Sequence, residues 1–307
     1  MEAHFETTLF IRNIFDSIVD LVPSIRLEIK KDGLYVCCIE TNGCCIVSMF
    51  ISEKDMEYKV SKETEITIQL SNILKKLKEM DKLKPITFKY KDGDDKIYFS
   101  QTNASGRASR HNSRLLSVDI DTTPIPDDIE FYAEVNISTD ELSKILKILL
   151  ISNEVCRISS FKNKKLLVLS SNGEFDSGRE ELPIDDDSII TDNQQSYFSI
   201  PYLVKFLKAG PLSKNAKICL AKDNPICIKF EVYNSYIHYY LSPKIEDEND
   251  VAQLGDEEKD DGPKIDMIKL DSDSESEYEE VMVTDSEGEE SDDSKENQKE
   301  EIISDSE

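Results

Sequence analysis

Tryptophan is absent, histidine occurs only at His4, His111 and His238, and none of the seven cysteines stands in a C-x-x-C pair. No G-x-S-x-G, P-loop, G-x-G-x-x-G or H-E-x-x-H motif occurs, so neither an activated nucleophile nor a phosphate cradle is in view, and no enzyme is expected. Asp185-Asp186-Asp187 and Asp92-Gly93-Asp94-Asp95 lack the spacing of a calcium loop and read as solvated turn charge. An odd cysteine count fits reduced thiols rather than a disulfide framework. Cys37-Cys38 and Cys44-Cys45 are adjacent in strand-like runs, where neighbours face opposite ways, so only one of each pair could serve a shared metal. No cofactor or metal is expected. No window approaches the about 18 apolar residues that span a bilayer, and Met1–Glu6 has no basic region leading into an apolar run. A soluble, intracellular chain without membrane contact is the expectation.

Charge is abundant but unevenly placed. The chain has a formal net charge of -26, and positions 246–307 hold 27 acidic and 5 basic residues, which leaves the first 245 nearly balanced with 36 acidic and 32 basic. A body of that length suits two domains. The acidic end, rich in Asp, Glu and Ser with no sustained apolar period, is expected to be disordered. Three short themes recur in it, Ile268-Lys269-Leu270-Asp271-Ser272, Val281-Met282-Val283-Thr284-Asp285-Ser286 and Ile302-Ile303-Ser304-Asp305-Ser306. They resemble strand-adding docking motifs and substrates of acid-directed kinases, while a plain solvating polyanion is the simpler reading. In either case the mobile charge is expected to compete with phosphates for a basic surface.

The body repeats itself. Phe10-Ile11-Arg12-Asn13-Ile14 and Ile145-Leu146-Lys147-Ile148-Leu149 share one pattern 135 positions apart, and Ile73-Leu74-Lys75-Lys76-Leu77 and Leu203-Val204-Lys205-Phe206-Leu207 share it 130 apart. Matched offsets predict a duplicated domain. Each segment reads as a short amphipathic helix, with a capping box from Ser138 and Glu141 starting the third and Ser199 before Pro201 starting the fourth. Between the helices, runs such as 25–28, 34–36, 46–51, 66–69 and 86–90 alternate like strands, separated by turn signals at Lys31-Asp32-Gly33, Asn42-Gly43, Asp92-Gly93-Asp94 and Lys222-Asp223-Asn224-Pro225. The fold class is α+β, with helices on one face of antiparallel sheets. Two prolines and four aspartates in 119–128 read as a linker.

Tyr239-Tyr240-Leu241-Ser242-Pro243-Lys244-Ile245-Glu246-Asp247-Glu248 closely resembles the carboxyl end of the proliferating cell nuclear antigen family, the eukaryotic-type DNA sliding clamps. The stretch from Phe198 to Ser213, with Lys208-Ala209-Gly210-Pro211-Leu212-Ser213, resembles that family at the spacing it requires. The resemblance spans about 5–248. It implies clamp domains at 1–117 and 132–248, a connecting linker at 118–131 and a tail at 249–307. It also implies a ring that reads no bases and encircles duplex DNA with its helices inside and its sheets outside.

The resemblance implies site residues as well. Arg12, Lys75, Lys144, Lys147 and Lys208 match basic positions of the family's inner helices, and Lys78 and Lys205 lie on the same predicted faces. Val19 and Asn72 stand where lysine is common in the family. Taken singly, any of these lysines also reads as a solvated helix face. A partner pocket would use Ile39, Ile46, Thr123, Ile125, Pro126, Ser199, Pro225, Tyr240 and Ser242, of which Ile39, Ile46 and Tyr240 read equally as core strand residues. Gly43 replaces a histidine common at the rim, and Thr123 a larger apolar residue. Ring closure would pair the edges at 113–118 and 178–183. The implied partners are double-stranded DNA, a DNA polymerase, a clamp loader and other proteins with clamp-binding peptides, in a homotrimer serving replication and repair in the nucleus or at a viral replication site. The alternatives are a checkpoint-type clamp, a monomeric processivity factor, or a histone-binding, chaperone-like protein using its acidic end.

Overall fold

Apolar residues recur three and four apart in four places of the body and at every second position elsewhere, and this difference decides which segments coil and which extend. The computed structural model describes residues 1–244 except 103, 104, 119, 121–124, 126–128 and 223. All of these lie in one compact unit, Met1–Glu257. The expected disordered tail, 249–307, and most of the linker fall outside the described residues. The helices are α1 (Thr8–Ile18), α2 (Leu70–Lys78), α3 (Thr139–Ser152) and α4 (Ile200–Phe206), the last extended by a 3-10 turn at Leu207–Ala209. Each contains one of the four repeated segments.

The repeat is cleaner in space than along the chain. Thr8 corresponds to Thr139, 131 positions on, and the buried Ile11, Ile14, Phe15 and Ile18 then correspond to the buried Leu142, Ile145, Leu146 and Leu149. The offset of 135 expected from the five-residue pattern is therefore one helical turn too long. The expected capping box is also corrected. Ser138 is the N-cap of α3 but its side chain caps nothing, because it still belongs to the strand Ala133–Ser138, where it faces Asn215. The helix start is held instead by Thr139, whose N–H donates to the Lys214 carbonyl at 2.8 Å and whose hydroxyl donates to the Ser213 carbonyl at 3.0 Å. Asp140 and Glu141 in the first turn complement the helix dipole.

Three antiparallel sheets carry the helices. The largest has nine strands in the order Ile189–Ile190, Ala133–Ser138, Asn215–Leu220, Ile226–Val232, Ser235–Leu241, Cys45–Ser52, Gly33–Ile39, Ser24–Lys30 and Thr64–Gln69. The second runs Glu57–Lys59, Glu2–Phe5, Ile86–Lys89, Lys96–Thr102, Ala108–Arg114, and the third Ser177–Pro183, Leu166–Asn172, Val155–Phe161, Gln194–Ser199. The edge expected at 113–118 lies at Ala108–Arg114 instead, since beyond it Leu115 makes only an isolated bridge to Ile68. At the hairpin joining Ser24–Lys30 to Gly33–Ile39, Gly33 has φ +152°, and a Cβ there would lie 2.2 Å from the Ile51 carbonyl oxygen, so the backbones pack too closely for any side chain.

The two halves are joined through the nine-stranded sheet. Ser235–Leu241 of the second half pairs with Cys45–Ser52 of the first, setting Ile237 opposite Met49 and Tyr239 opposite Val47. Tyr239 is fully buried at this joint, where its ring stacks on Phe206 of α4 with centroids 4.6 Å apart and its hydroxyl donates to the Ser17 carbonyl of α1 at 3.1 Å. One side chain thus ties both halves and two helices together. Tyr239→Phe keeps the stacking and strands a buried carbonyl, so it should lower stability by about 1–2 kcal/mol in urea unfolding. An unchanged midpoint would show that the joint does not depend on this bond.

Candidate DNA-facing helices and docking groove

The polar faces of the helices carry the expected cations, in two electrostatic classes. Lys75, Lys144 and Lys147 are exposed and, with Arg12, make no ion pair among the described residues. Lys78 is paired with Asp16 of α1 at 2.7 Å, and Lys208 with Asp20, in the turn just past the end of α1. Lys205 lies over the Tyr202 ring, 4.9 Å from its centroid. Such exposed pairs add little stability, but each cancels most of a positive charge at short range. Of the seven expected cations, the unpaired Arg12, Lys75, Lys144 and Lys147 therefore supply most of the net positive field. On α3, one turn beyond Lys144 and Lys147, Ile148 and Ile151 are 51% and 78% exposed. The sequence reading passed over both, together with Asp16 and Asp20.

The docking residues form a row across the opposite face of the nine-stranded sheet. Register places Ile39 opposite Ile46, Ile46 opposite Tyr240, Tyr240 opposite Cys227, and Cys227 opposite Cys219. Alternation turns these side chains away from the main core. Cys219, Cys227 and Tyr240 form a small apolar cluster of their own, against which Ile46, Ile125, Ile129 and Phe131 pack. The linker thus covers one end of the row and leaves the half-buried Ile39 and Ile46 at the open end. Pro225 continues the strand pairing next to Ser242, whose N–H donates to the Cys44 carbonyl at 2.9 Å. Ser199, the N-cap of α4, lies near the same end, where the Lys244 N–H donates to the Tyr197 carbonyl at 2.8 Å. Thr123 and Pro126 lie outside the described residues. Cys219, Cys227, Ile129 and Phe131 were missed in the sequence, although Lys217/Cys219 and Cys227/Lys229 show the period of two that would place them.

Charge differs between the two ends of the groove. Lys229 sits 4.7 Å from the Phe131 ring centroid and faces Lys217 across the strands at the linker end. At the open end Tyr202 of α4 donates to Glu40 at 3.3 Å and accepts from Asn42 at 3.2 Å. An apolar strip with charged rims suits a short peptide carrying an apolar anchor. Among the described residues no group of three or more His, Cys, Asp or Glu side chains could hold a metal ion.

Comparison with known proteins decides the family. The model of the proliferating cell nuclear antigen N-terminal domain matches residues 1–123, and that of its C-terminal domain residues 125–245. The chain belongs to the proliferating cell nuclear antigen family. It is a DNA sliding clamp, a processivity factor of replication and repair rather than an enzyme. A protein of Chaetomium thermophilum named proliferating cell nuclear antigen is 25% identical over 260 residues, covering 81% of this chain and 99% of its own. Proliferating cell nuclear antigen 1 of Plasmodium falciparum (isolate K1 / Thailand) is 22% identical over 279 residues, covering 81% and 98%.

The thiols of this clamp are poor nucleophiles for a physical reason. Burial raises Cys37 and Cys219 to about 11 and Cys156 and Cys227 to about 12, and pushes Cys38 and Cys45 upward as well. Little thiolate is therefore present at neutral pH. Cys44 is half-exposed at the open end of the groove, with Sγ 3.8 Å from Glu40. In a thiol-reagent titration of the native clamp, Cys44 should react first, the partly exposed Cys37 more slowly because its thiol is held up, and the five buried thiols together with unfolding. Simultaneous reaction of several thiols in the folded protein would contradict this ordering.

Proposed function

We propose that three copies of this chain close head to tail into a homotrimeric ring around duplex DNA. The observation that carries this is the internal joint. Ser235–Leu241 and Cys45–Ser52 pair within the chain, and their counterparts in the repeat, Ala108–Arg114 and Ser177–Pro183, both end their sheets as unpaired edges. Unpaired edges invite pairing, and repeating the internal joint between chains satisfies both at once. The charges are complementary in net sign, because one edge carries Arg110 and Arg114 and the other Glu180 and Glu181 with a single Arg179 that is paired to Glu181. The apolar end of α3 fits the same arrangement. Ser17 of α1 and Asp20 just past its end correspond to Ile148 and Ile151, and Asp20 meets Lys208 beside α4, so Ile148 and Ile151 would be covered by the neighbouring subunit's α2.

In this reading the chain divides into clamp domains at 1–117 and 132–248 about a linker at 118–131, with the acidic tail from 249. The helices face the DNA, and Arg12, Lys75, Lys144 and Lys147 make non-specific, salt-sensitive phosphate contacts, which suits a ring that slides rather than reads bases. Lys78, Lys205 and Lys208 contribute less because they are already engaged. The groove of Ile39, Ile46, Ile125, Pro225, Tyr240 and Ser242, with Thr123, Pro126 and Ser199 at its borders, takes the peptides of a DNA polymerase, a clamp loader and repair proteins. Work at replicating DNA places the clamp in the nucleus, or at a viral replication site. Solution mass should be near three times 35.0 kDa. Lys75→Glu/Lys144→Glu/Lys147→Glu should keep that mass and lose DNA retention, whereas Glu180→Arg/Glu181→Arg should fall to the monomer. A monomeric parent protein would contradict the ring, and retained DNA binding by the triple variant the channel.

A further inference from the structure

The last described residues run directly along the docking groove. Ser242 is bonded to Cys44, Lys244 to Tyr197, and the chain leaves the body at the open end, beside Ile39 and Ile46. From there 63 residues follow, and positions 246–307 hold 27 acidic and 5 basic residues. Val251-Ala252-Gln253-Leu254 has acid only before it, and the first apolar run with acid immediately on both sides is Met267-Ile268-Lys269-Leu270, bracketed by Asp266 and Asp271. The twenty-odd residues between Lys244 and Met267 extend to at most ~75 Å, ample for a return to the groove. The groove offers half-buried Ile39, Ile46 and Pro225 for the apolar side chains, with Lys244 where the chain leaves it and Lys217 and Lys229 at the linker end for flanking acid, while Glu40 at the open end disfavours acid there and so sets the direction of docking.

We propose that Met267-Ile268-Lys269-Leu270 docks in the groove of its own clamp as an internal pseudo-ligand, which incoming partner peptides must displace. The inference rests on the reading of this groove as the partner site. Tethering is the source of its strength. A tether of this length holds the segment at an effective concentration on the order of 1 mM, so an intrinsic dissociation constant of about 0.1 mM already fills about nine-tenths of the grooves. A partner with a stronger anchor would gain access, while weak and non-cognate peptides would be excluded.

Cys44 reports occupancy, since it lies on the groove face two residues before Ile46. The test compares its rate of maleimide modification in the full chain and in full-chain Ile268→Asp/Leu270→Asp, both folded and of equal oligomeric mass. We expect the variant to react about 5- to 10-fold faster, a synthetic peptide of residues 262–273 to restore slow reaction, and a benzophenone side chain at position 268 to cross-link to the groove strands. Equal rates, or cross-links confined to α2 and α3, overturn the proposal. A synthetic partner-type peptide with an aromatic anchor and no acidic flanks separates the two readings. If it protects Cys44 in both proteins while the tail substitutions change nothing, the groove is a partner site and the tail proposal fails. If no peptide protects Cys44, the groove reading fails with it.

Discussion

Everything in this molecule hangs on one strand pair, Ser235–Leu241 against Cys45–Ser52. It makes one nine-stranded sheet out of two duplicated halves, buries Tyr239 between α1 and α4, and on its other face sets Tyr240 beside Ile46. The period of two along a strand makes these consequences inseparable, because Tyr239 faces the core only if Tyr240 faces the linker. A register slip of one residue would empty the core contact and destroy the docking row together.

The same pair gives the proposed assembly its physical reason. Duplication produces two equivalents of every edge, and one pair is consumed inside the chain. The other two edges, with their opposite charges and the exposed Ile148 and Ile151, are left over. A head-to-tail contact either closes or grows into a filament. In the proposed ring, closure turns weak, screened phosphate contacts into lasting association by topology rather than by affinity.

The sequence revealed local features well and distant ones poorly. The four helices were legible because Ile11, Ile14, Phe15 and Ile18, and their counterparts, recur at helical spacing. Their offset was misjudged by a turn because a five-residue apolar pattern fits a helix in more than one phase. The docking residues Ile39, Ile46 and Tyr240 came from the family resemblance. That they stand in a single row, with Cys227 and Cys219 continuing it, depends on pairing between strands far apart in the chain. The partners of Lys208 and Lys78 were hidden for the same reason, since Asp20 lies 188 positions from Lys208. The expected cap at Ser138 failed because a strand running straight into a helix keeps its last residue in the sheet.

Topological retention tests the central claim most directly. The protein is allowed to thread onto linear duplex DNA with open ends, the ends are then blocked with a bulky protein, and salt is raised. A ring should stay on the blocked DNA at salt that removes it from open-ended DNA. Equal loss from both would show that this chain binds DNA by surface contact alone and does not encircle it.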